Sequence, residues 1–153
     1  MSQVSKLFAG SDHAGLSLKK ELLAQLGVEF PSLHIEDCGT HAEESTDYPQ
    51  FARIVAQNVV KHAARGILIC GSGIGMCIAA NKVSGIRAAM AWDVTSARLS
   101  RRHNDSNILC LGARLVGQEV ALEVLRTWLV TSFEGGRHQN RIDLISKMEK
   151  EGT

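Results

Sequence analysis

Two rhythms alternate along this chain. Short runs at Lys6 to Gly10, Leu33 to Asp37, Ile67 to Ile69, Ile86 to Ala91 and Ile108 to Leu111 have the length of buried strands. Between them, apolar residues recur at helical spacing. Leu18, Leu22 and Leu26 mark one such face, with Lys19, Lys20 and Glu21 assigned to its polar side. Phe51, Ile54, Val55 and Val59 mark a second, opened by Asp47 as cap with Pro49 in the first turn. Met76 to Val83 follows the third strand, and Asp93 caps a helix over Val94 to Arg102. Val120, Val124, Leu125 and Trp128 mark a long helix, and Ile142, Ile145 and Met148 a terminal one. Five strands alternating with helices predict an α/β fold with a parallel sheet covered on both faces.

Such sheets bind ligands at the carboxyl ends of their strands. The chain puts its unusual polar residues there. Ser11, Asp12 and His13 follow the first strand, and Gly112-Ala113-Arg114 follows the fifth. The third runs straight into Cys70-Gly71-Ser72-Gly73-Ile74-Gly75. A glycine turn opening a helix presents backbone N–H groups to an anion. A thiol at the lip of that cradle is a candidate base or nucleophile. The loop lacks the Lys and Ser/Thr of a nucleoside-triphosphate loop, and Met76 stands where GxGxxG needs its third glycine. Nucleotide binding by a regulatory module is therefore the weaker reading.

Composition narrows the field. The 153 residues suit a single domain spanning 1–153, and a net charge of +1 gives no general case for nucleic acid or membrane binding. No apolar run is long enough to span a bilayer, and nothing resembles a signal peptide. The four cysteines form no CxxC, which fits free thiols in a reducing cytoplasm; Cys77 and Cys110 are expected in the core. His34, Asp37, Cys38 and His41 match no zinc spacing, so no metal is expected. Two further clusters stand out. His103-Asn104-Asp105 ends a helix with a group that can transfer protons near pH 7. Arg137 and Arg141, four apart around His138, share a helical face and can clamp a phosphate.

Several motifs together resemble the ribose-5-phosphate isomerase B family. They are Gly10-Ser11-Asp12-His13-Ala14-Gly15, Thr46-Asp47-Tyr48-Pro49, Gly66 through Lys82 and Gly85-Ile86-Arg87-Ala88. Leu99 through Asp105 and Glu134-Gly135-Gly136-Arg137-His138-Gln139 complete the set, in the family's order over nearly the whole chain. The resemblance implies a Rossmann-like three-layer α/β/α fold. It also implies a homodimer, or a dimer of dimers, with composite sites and no metal or organic cofactor. The terminal helix, about 139–150, is expected to pack on the partner subunit.

The implied reaction interconverts ribose 5-phosphate and ribulose 5-phosphate through an enediolate. Cys70 stands where the cysteine-using members place the base; the branch that uses glutamate has it where this chain has Met76. The N–H groups of Gly71, Ser72, Gly73, Ile74 and Gly75 would face the enediolate, and the Ser72 hydroxyl would assist the thiol or move a hydroxyl proton. By the same resemblance, His103 opens the sugar ring from the partner subunit, with Asp12 on the ring oxygens. Arg114, Arg137 and Arg141 match phosphate- or substrate-contacting positions, with His13 and His138 as helpers; Tyr48 and Asn104 line the substrate. The nearest alternative is the same chemistry on a hexose 6-phosphate of the allose or galactose type.

Overall fold

The computed structural model describes residues 4–152. Five parallel strands form one sheet in the order β2-β1-β3-β5-β4: β1 Lys6–Ser11, β2 His34–Asp37, β3 Arg65–Cys70, β4 Ala88–Met90 and β5 Ile108–Gly112. Six helices accompany them: α1 Leu16–Glu29, α2 Tyr48–His62, α3 Ile74–Ala80, α4 Val94–Asn104, α5 Gln118–Val130 and α6 Arg137–Glu151. Successive strand side chains point to opposite faces, so each buried run feeds two cores. Leu7, Ala9, Ile67, Ile69, Leu109 and Leu111 pack against α1, α4 and α5, around the fully buried Trp128. Phe8, Leu68, Cys70, Ile108 and Cys110 pack the other way, against α2 and α3. The predicted three-layer α/β/α fold is what the chain adopts.

The strand order positions the site. From β1 the chain moves outward to β2, then returns and crosses to β3 on the other side of β1. Crossovers leaving in opposite directions open a crevice at the carboxyl ends of β1 and β3. Asp12 follows one of these strands and Cys70 ends the other. The register sets Ser11 beside Ile69, so the two ends are level.

Three local expectations need correction. Lys19 does not lie on a solvated face: it is fully buried, and its Nζ donates to Asp37 Oδ1 at 2.6 Å and to the Thr40 carbonyl at 2.7 Å. A buried ammonium is tolerable only when paired in this way. The pair ties α1 to the end of β2. Asp47 takes the N-cap place of α2, but its side chain makes no capping hydrogen bond. Helix α3 begins at Ile74 rather than Met76, because the turn into it is completed by Gly73 at φ +79°. A Cβ on Gly73 would also lie 2.9 Å from the Leu111 carbonyl carbon, so glycine is needed there twice over.

Lys19→Met should destabilise the fold by about 3 kcal/mol, at the low end for breaking a buried pair because water still reaches Asp37. Denaturant unfolding measures this. A loss below about 1 kcal/mol, the range of exposed pairs, would contradict the structural role.

Candidate active site

At the carboxyl end of β3, Cys70 is only 5% exposed. The Gly73 N–H donates to its Sγ at 3.1 Å, which holds the sulfur at the crevice floor. The Ile74 N–H donates to Ser72 Oγ at 3.3 Å. Two of the loop's five N–H groups are thus engaged inside the loop, where the sequence suggested that all would face a ligand.

The neighbours of this loop come from three segments. Ala113 N–H donates to the Cys70 carbonyl at 2.9 Å and Arg114 N–H to the Gly71 carbonyl at 3.0 Å, stapling the chain after β5 onto the thiol loop. The Arg114 guanidinium lies over Gly71, where a Cβ would come within 3.3 Å of Nη1. Tyr48, opening α2, stands against Gly75, where a Cβ would meet its ring at 2.6 Å. On the β1 side, Asp12 N–H donates to the Ile69 carbonyl, and Asp12 Oδ1 accepts the Gly15 N–H at 3.0 Å. That leaves one carboxylate oxygen beside the crevice. Thr46 N–H donates to His13 Nδ1 at 3.1 Å, while His13 N–H reaches Thr46 Oγ1. An acceptor Nδ1 puts the ring proton on Nε2, which becomes a donor. Ser11 lies deeper than expected: it is fully buried, its backbone is bonded to Gly39 and Thr40, and its hydroxyl has no hydrogen-bond partner among the described residues.

Two other thiols lie near. Cys110 is core, as expected, and burial pushes its thiol well up. Cys77 is only half-buried, and hydrogen bonding with Cys110 first, then Met90 and Asn81, brings its thiol down to about 7.

The remaining candidates form a second cluster elsewhere. Helices run antiparallel to their strands, so α4 delivers His103 and Asn104 to the amino edge of the sheet. Asn107, three residues on, accepts the Gly66 N–H at the start of β3. Cys70 is four residues farther along that strand, roughly 13 Å away at 3.3 Å per residue. One protomer therefore does not bring Cys70 and His103 together.

Around His103 the amino end of α6 folds back. Glu134 N–H donates to the Arg102 carbonyl at 3.0 Å. Glu134 Oε2 lies 3.7 Å from His103 Nε2 and 3.5 Å from His138 Nε2, and the two imidazoles stack at 4.3 Å. Arg102 holds the other Glu134 oxygen, with Nε at 2.8 Å, and keeps that carboxyl below its usual range. Burial first, then His103, Arg137 and Arg141, push the His138 imidazole down. Among the described residues, His103, Glu134 and His138 are the group with metal-ligand geometry, their ligand atoms within 4.8 Å of one another. Three arginines around them suit an anion better than a cation.

The ribose/galactose isomerase family model matches residues 7–145. The chain belongs to that family. Ribose-5-phosphate isomerase B of Escherichia coli is 46% identical over 151 residues, covering 96% of this chain and 98% of its own. The structure of Clostridium thermocellum ribose-5-phosphate isomerase B superposes with a TM-score of 0.92 at 47% identity, over 97% of this chain and 99% of that one. Ribose-5-phosphate isomerase B from Mycoplasma genitalium, solved with bound ribulose-5-phosphate, gives 0.91 at 42% identity, over 95% and 97%. Family membership leaves the nucleotide-binding reading without support, since Gly73 of the glycine loop serves the thiol. Glu134 is the residue of this region that the sequence did not single out for a role. Its spacing of four from His138 was visible, but its contact with His103 comes from the fold.

Proposed function

We propose that this chain is a ribose-5-phosphate isomerase whose catalytic site is completed by a second copy of itself. The observation that carries the reading is the fixed thiol at the β1–β3 crevice, in a family with a relative solved with ribulose-5-phosphate. In the open-chain aldose, the Cys70 sulfur takes the proton from C2, and the electron pair moves to form the enediolate. The proton then returns to C1, leaving the carbonyl at C2. Ser72 carries the hydroxyl proton between O1 and O2. Such a base contributes about 10²–10⁴ to the rate.

Asp12 steadies the ring oxygens, Tyr48 lines the site and Arg114 holds the near side of the substrate. From the second copy come His103, for ring opening, and Asn104. Arg137 and Arg141 receive the phosphate, with His138 and His13 as further donors. The separation of the two clusters along β3 supports this division. So do exposed apolar side chains, Ile78 (59%) on α3, Trp92 (55%) after β4, and Leu144 (62%) and Met148 (69%) on α6, which are open to self-association. Among the described residues no helix is long and apolar enough to cross a membrane.

Turnover of ribose 5-phosphate beside allose 6-phosphate tests the substrate. A clear kcat/KM preference for the pentose is expected. A preference for the hexose would move the same mechanism to a six-carbon substrate, and turnover of neither would overturn it.

A further inference from the structure

We propose that Glu134 is the positioning residue for His103, holding its imidazole in place for ring opening while Arg102 locks Glu134. This rests on the ring-opening reading of His103 given above. Glu134 is anchored three ways: its N–H on the Arg102 carbonyl, and Oε1 on both Nε and Nη2 of Arg102. The remaining oxygen, Oε2, faces the Nε2 atoms of both imidazoles. The arginine fixes the carboxylate, and the carboxylate fixes the rings.

Exposure and the surrounding charges distinguish the two histidines. Arg102 faces it from α4, Glu134 from the preceding loop, and His138, Arg137 and Arg141 from α6. Asp105 is drawn away, paired with Arg87 and Arg101. His138 is 5% exposed and faces the arginines, so it stays neutral near pH 7. Two stacked imidazoles do not readily carry two charges. The carboxylate oxygen stands between the two rings, and His103 is the one open enough to solvent to reach a substrate. Stacking on neutral His138 fixes the plane of the His103 ring. With Nε2 directed at the carboxylate, Nδ1 is the nitrogen turned to the sugar.

The test separates ring opening from enolisation. Ribulose 5-phosphate cannot close to a furanose, because its C5 oxygen carries the phosphate. Exchange of its C1 proton with deuterated water therefore reads the Cys70 step alone. In the Glu134→Gln variant, turnover of ribose 5-phosphate should fall about tenfold or more while C1 exchange stays near wild type. Glu134→Asp should recover part of the turnover. Thermal melting confirms that each variant is folded. Unchanged turnover in Glu134→Gln, with His103→Ala losing ring opening, would overturn the role of Glu134 alone. Equal losses of turnover and C1 exchange in His103→Ala would instead overturn the ring-opening reading beneath it.

Discussion

Cys70→Ala should lower isomerisation by about 10³-fold or more, the scale of a lost general base, while the protein still folds and binds sugar phosphate. The fold survives because the change is small. Alanine fills nearly the same buried position at the end of β3, and the lost partner is one N–H from Gly73. An unsatisfied buried donor costs about 1–3 kcal/mol, less than the stability of an ordinary domain. Binding should survive because the phosphate contacts proposed above lie elsewhere, on Arg114 and on the α6 arginines. Ribose 5-phosphate should therefore still raise the melting temperature of the variant. Exchange at C1 of ribulose 5-phosphate should vanish along with turnover. Substantial residual turnover would remove Cys70 as the base.

His103→Ala should produce a different failure. Ribose 5-phosphate is mostly cyclic, so losing the proposed ring-opening group should slow its turnover by about 10²-fold or more. C1 exchange of ribulose 5-phosphate should be largely kept, because that substrate enters open. The structure expects little loss of stability, since His103 is part-exposed and its contacts are Glu134 and the His138 ring.

Much of this was legible in the residues. Five strands and six helices followed from spacing alone, since buried runs and four-residue repeats read differently. The crevice was legible too, because Asp12 and Arg114 follow strands and Cys70 ends one. What escaped had physical causes. Lys19 sits where helical periodicity assigns a polar face, and its burial depends on Asp37 and Thr40, which pairing with β1 brings over α1. Gly75 reads as loop although α3 has already begun, because the decisive turn is made by Gly73. Glu134 is 31 residues from His103, and only the return of the chain over the end of α4 joins them.

The two-edge arrangement has a direct consequence for the assembled enzyme. In a dimer whose sites each take Cys70 from one copy and His103 from the other, a mixed dimer of Cys70→Ala and His103→Ala holds one doubly damaged site and one intact site. Co-expressing the two variants with different tags and purifying through both isolates that species. Measuring its turnover of ribose 5-phosphate is the most direct test of a divided site. Recovery to about half of wild-type activity per dimer is expected from the two-fold symmetry. Activity no higher than that of the two variants alone would place Cys70 and His103 in sites that do not share a substrate.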